Sequence, residues 1–118
     1  MKIFKAKALT AVELPDINTF VVVLAEETDG SGMRLEIQKS LSFDEQDRRC
    51  GLDTYCLSTE EGTTYYGGVT SWTLTKGSLE IWLDAEAAEA LGVEGGFVVH
   101  FAPESLPALK EGLGRVLG

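Results

Sequence analysis

The chain has 118 residues, 44% of them apolar and 25% charged, with 19 acids against 10 bases and a net charge of −9. This mixture excludes a disordered segment and suffices for one domain, residues 1–118, with a core of its own. The acid excess speaks against nucleic acid and against an anionic membrane surface, both of which require a basic patch, and through steering it favours a basic protein partner. Acidity also serves solubility alone.

In chain order, KIFKAKALTAVE (2–13) alternates and predicts a first strand, with Phe4, Ala6 and Ala8 on one face and Lys5 and Lys7 on the other. The opening segment lacks a signal-peptide pattern and no apolar run could span a bilayer, so a cytoplasmic location is expected. NTFVVVLAE (18–26) is apolar on both faces and suits a central, covered strand. After the turn ETDGSG, MRLEIQK (33–39) alternates with Met33, Leu35 and Ile37 inward, completing a hairpin. SLSFDEQDRRCG predicts a short helix capped by Ser42, with Asp44 and Glu45 in its first turn, Arg48 and Arg49 in its last, and Gly51 as its stop.

Strand signals resume at DTYCLS (53–58), TTYYGG (63–68), VTSWTLT (69–75) and SLEIWLD (78–84), joined by TEEG and KG turns. DAEAAEALG (84–92) has the clearest helix pattern, with Asp84 as N-cap and Gly92 at its end. GGFVVHF predicts a last strand, and PESLPALKEGLGRVLG an amphipathic helix weakened by Gly112 and Gly114. The expected architecture is α+β: a single antiparallel sheet built from hairpins, with two or three helices packed on it.

Candidate chemistry is sparse. Cys56 and His100 lack the local third group that would orient an imidazole against a thiol. Cys50 and Cys56 flank an extended stretch that holds them apart, against a disulfide, and the spacing is not that of a zinc or redox motif. Asp44, Glu45, Asp47, Asp53, Glu60 and Glu61 lie in hydrophilic turns and helix starts, where solvated acid is the ordinary state. The pairs in YYGGV and EGGF do not precede a helix N-terminus, so they suit a bulge, a turn or close ring packing, not a phosphate cradle. No catalytic, cofactor or metal site is expected.

The aromatics say more. Trp72 shares a face with Leu74 and reads as core, whereas Trp82 lies opposite Leu79, Ile81 and Leu83. Tyr65 and Tyr66 are adjacent in an extended segment, so one of them faces outward. Outward aromatics ringed by acids have the composition of an interface hot spot. Covering the second face of the sheet would explain Trp82 equally well.

FDEQDRRCGLDTYCL, then YYGGV and a tryptophan, then LEIWLDAEAAEALG resemble the small immunity proteins of bacterial polymorphic toxin systems, and more narrowly the immunity protein 10 family. The matching stretch runs from Phe43 to Gly92, and GLDTYCL and YYGGV are its most specific pieces. The resemblance implies a cytoplasmic protein that binds and blocks a cognate toxin and has no chemistry of its own. Under this reading Asp44, Glu45, Asp47, Glu60 and Glu61 steer a basic toxin, and Tyr55, Tyr66 or Trp82 anchors it. Three alternatives stand beside it: a small-molecule or regulatory domain with a pocket lined by Tyr65, Trp72 and Phe97 between sheet and C-terminal helix, a thiol enzyme using Cys56 and His100, and a homodimer module.

Overall fold

A computed structural model describes residues 1–118. Nine strands run in the order β1 (Lys2–Lys5), β2 (Ala8–Leu14), β3 (Thr19–Ala25), β4 (Arg34–Ser40), β5 (Cys56–Thr59), β6 (Thr64–Tyr66), β7 (Val69–Leu74), β8 (Ser78–Leu83) and β9 (Gly96–His100). Helix α1 (Glu45–Arg49) precedes β5, α2 (Ala85–Leu91) lies between β8 and β9, and α3 (Leu106–Leu117) closes the chain. The architecture is α+β, but the strands form two sheets and not the expected single one. One is a five-stranded antiparallel meander, β2-β3-β4-β5-β6, and the other is four-stranded, β1-β9-β8-β7, with β1 parallel to β9.

Two local events divide the sheets. Residues 2–13 are two strands: the Ala6 N–H donates to the His100 carbonyl at 2.7 Å, while the next N–H, of Lys7, donates to the Ala25 carbonyl at 3.0 Å. Successive residues thus pair into different sheets, and the alternation shifts phase there. Phe4 and Ala6 face the core before the crossing and Leu9 and Ala11 after it, so Ala8 does not share the face expected of it. The second crossing is Gly67–Gly68, both at positive φ, which turns the chain out of β6 and into β7 in the other sheet. Hairpin signals on either side of the crossing look alike, because alternation records which face a residue occupies and not which strand it pairs with.

The inner faces meet in one cluster of 20 buried residues. Across the five-stranded sheet, Ala11, Val22, Ile37, Leu57 and Tyr65 lie in register, and across the other sheet Phe4, Val99, Leu79 and Leu74 do. Each fully buried aliphatic side chain contributes roughly 1.5–3 kcal/mol relative to exposure. Leu35 and Ile37 point inward as alternation requires, but Met33 falls before β4 and is 39% exposed. Asp44, not Ser42, caps α1: it accepts from the Asp47 N–H at 2.7 Å while Asp47 accepts from the Asp44 N–H at 3.1 Å. That helix buries no residue, so only α2 and α3 are packed elements.

Helix α3 lies on β2, β3 and β4 with Leu109, Leu113 and Val116 buried, and Arg115 clamps its end, bonded to Glu13 at 3.1 Å and stacked over the Phe20 ring at 4.1 Å. The two glycines that weaken its pattern differ in kind. A Cβ on Gly112 would stand 2.9 Å from Ala11 Cβ and 3.0 Å from Val22 Cγ2, whereas one on Gly114 would meet nothing within 4 Å. Gly114→Ala is therefore expected to stabilise the protein by about 0.5–1 kcal/mol through helix propensity, and Gly112→Ala to destabilise it by about 1–3 kcal/mol. Urea unfolding of the two variants checks the opposite signs.

Candidate partner interface

The eight residues singled out in the sequence separate into two surface groups and two structural positions. Asp44, Glu45 and Asp47 sit on or at the start of α1, where the two aspartates engage each other's backbone and Glu45 pairs with Arg49 at 2.6 Å. Tyr66 is 47% exposed on the outer face of the five-stranded sheet and shares a depression of about 120 Å³ with Asp47, Gln38, Leu52 and Cys56. These four therefore form one neighbourhood. Trp82 is 43% exposed on the outer face of the other sheet, its indole N–H donating to Glu80. Glu61 lines a second depression, of about 320 Å³, with Met1, Leu91, Val93 and Glu94.

Tyr55 and Glu60 hold the fold. The Tyr55 hydroxyl accepts the Val69 N–H at 2.9 Å, tying the approach to β5 to the start of β7. Glu60, in the β5–β6 turn, bonds the Lys2 ammonium from β1 and accepts the Arg34 N–H at 2.9 Å, so one carboxylate joins the two sheets. Partial burial works to raise its pKa, but the Lys2 ammonium and the Arg34 N–H outweigh it and hold the carboxyl below the ordinary glutamate value. A depressed carboxylate adds stability above its unfolded pKa, and that contribution disappears as pH falls through the folded one. Glu60→Gln is expected to lower stability by up to about 1 kcal/mol at neutral pH. The gap to wild type should close below about pH 4, which denaturation at several pH values reads directly.

A third acidic feature escaped the sequence reading. From Gly77 to Leu109 there are six acids, Glu80, Asp84, Glu86, Glu89, Glu94 and Glu104, and no lysine or arginine. Most of them lie on α2 or beside it, with Asp84 capping that helix through the Ala87 N–H at 2.8 Å. Lost hydration, then the Glu86 and Asp84 carboxylates, push the Tyr65 phenol above its ordinary pKa. The long base-free run was the available signal.

The other candidates are not assembled. Cys56 and His100 lie on the outer faces of different sheets, and burial pushes the Cys56 thiol up, away from the thiolate. No group of three His, Cys, Asp or Glu side chains converges as a metal site requires. Of Tyr65, Trp72 and Phe97, only Trp72 lines the groove of about 400 Å³ beside α3, together with Leu74, Leu106, Lys76 and Lys110. Phe97 is fully buried, and Tyr65 belongs to the other sheet. No helix is long and apolar enough to cross a membrane.

Tyr66 and Trp82 are thus exposed on the outer faces of different sheets, and acids flank α2. The family model for immunity protein 10 matches residues 5–107, beyond the Phe43–Gly92 stretch on both sides, and the chain belongs to that family. It is accordingly an immunity protein, of a kind directed against a toxin. Comparison with curated proteins and with solved structures gives no match.

Proposed function

We propose that the protein binds a cognate toxin of a bacterial polymorphic toxin system in the cytoplasm and neutralises it by contact, without chemistry of its own. The family match over residues 5–107 carries this reading. The net charge of −9 supports a basic toxin as the partner, since opposite charge accelerates encounter. Exposed Tyr66, beside Asp47, and exposed Trp82, beside Glu80, are alternative anchors for it, on different sheets.

Co-expression tests the proposal. Cells producing the cognate toxin domain should grow when this protein is also made and stop growing when it is omitted. Growth arrest despite abundant folded protein would contradict neutralisation.

A further inference from the structure

The geometry points to one of the two surface groups as the docking site: the end of the four-stranded sheet's outer face, where Trp82, Met1 and Ile3 form an apolar centre inside a rim of Glu61, Glu80 and Glu94, and where a basic protein surface docks. This assignment rests on the neutralisation reading and names the face that performs it.

Register builds the centre. Trp82 pairs with Gly96, and Lys2 pairs with Phe97, so Met1 falls in line with Gly96 and Trp82 across the three strands. Gly96 contributes no side chain to that row, and the tryptophan ring and the thioether close over the glycine pair. A Cβ on Gly95 would stand 3.0 Å from Met1 Sδ and 3.2 Å from Trp82 Cζ3. Ile3, 58% exposed, lies on the same face in the next outward row, with Val98 and Glu80. Helix α2 contacts β6 and β8 through residues of the core cluster, and α3 contacts β2, β3 and β4, so neither helix covers this face. The indole bond to Glu80 fixes the ring before a partner arrives, which reduces the ordering needed on binding.

Charge selects the occupant. Met1 also lines the depression that holds Glu61 and Glu94, so the acids adjoin the apolar centre. Glu61, Glu80 and Glu94 make no salt bridge, Glu80 accepting only the Trp82 indole N–H. The nearby Lys2 is occupied by Glu60, and the one free lysine on this face, exposed Lys5, lies one row beyond Ile3, away from Glu61 and Glu94. A partner presenting Lys or Arg satisfies these carboxylates, and an Arg can stack on the tryptophan face. A second copy of this chain would bring the same acidic rim against its own. The rival neighbourhood is less selective: Asp44, Glu45 and Asp47 share their short helix with Arg48 and Arg49, and their carboxylates are engaged within it.

The test is surface plasmon resonance of the full chain against the catalytically inactivated cognate toxin domain. Trp82→Ala should weaken binding at least tenfold, mainly by faster dissociation. The double variant Glu61→Lys and Glu94→Lys should slow association and flatten its salt dependence. Asp47→Lys with Tyr66→Ala should stay within about twofold of wild type, as expected for positions outside the hot spot. If the first two variants bind like wild type while Asp47→Lys with Tyr66→Ala loses binding, the docking face is wrong and the neutralisation reading stands. If the wild-type chain itself shows no binding, the neutralisation reading fails, and this assignment falls with it.

Discussion

Gly96→Ala is expected to lower stability by about 3 kcal/mol or more, the largest effect of any glycine-to-alanine change in this chain. Gly96 opens β9 at φ +152°, and a Cβ there would overlap the carbonyl oxygen of Ile81 on β8. Ile81 is fully buried, and the obstructing atom belongs to backbone, so no rotamer change relieves the overlap. The sheet would have to open between β8 and β9. Because β9 also carries β1, the damage would extend to the edge strand. Urea denaturation should show a lower midpoint with an unchanged slope. A midpoint within error of wild type would mean that β8 and β9 do not approach as described.

Gly68→Ala is expected to cost about 2–4 kcal/mol, from a left-handed backbone and a steric collision together. Gly68 sits at φ +92° where the chain leaves the five-stranded sheet, and an added Cβ would overlap the Cβ of Ala87 on α2 and stand 3.1 Å from Tyr65 Cε2. Ala87 is buried and has no rotamer to change, so α2 would have to withdraw from β6. That helix also depends on the crossing directly, since the Asp84 N–H donates to the Gly68 carbonyl at 2.9 Å. Amides of α2 should exchange faster in the variant. Adding Ala87→Gly should recover part of the loss, so the double variant should be more stable than the sum of the two single effects. Strict additivity would contradict the contact.

These two glycines mark the boundary of what was legible in the sequence. The two-faced apolar run in NTFVVVLAE and the alternation in the Leu35–Ile37 segment and in SLEIWLD identified β3, β4 and β8, and the Asp84 cap with the Gly92 stop bounded α2. Each of those signals is local. The number of sheets is not, because it depends on Ala6 and Lys7 choosing different partners and on β1 finding β9 from the opposite end of the chain. Gly112 looked like a flaw in a helix, and the reason for it, Val22 and Ala11, lies far away in sequence.

The candidate interface divides in the same way. The placement of Trp82 opposite Leu79, Ile81 and Leu83 followed from alternation, but alternation left open whether it was exposed or covered the second face of the sheet, and the structure leaves it 43% exposed. Tyr55 and Glu60 instead acquire structural bonds from Val69, Lys2 and Arg34, partners that no spacing rule supplies. Family membership was readable from GLDTYCL and YYGGV, and part of the second motif now has a mechanical reason, since Gly68 permits the crossing between sheets.

The central claim is neutralisation by stoichiometric contact. Titrating the purified, active cognate toxin domain with purified protein reads the stoichiometry. Toxin activity should fall linearly to zero at one equivalent, and both chains should be recovered intact from the complex. Full toxin activity in the presence of excess protein, or inactivation by substoichiometric amounts, would contradict it.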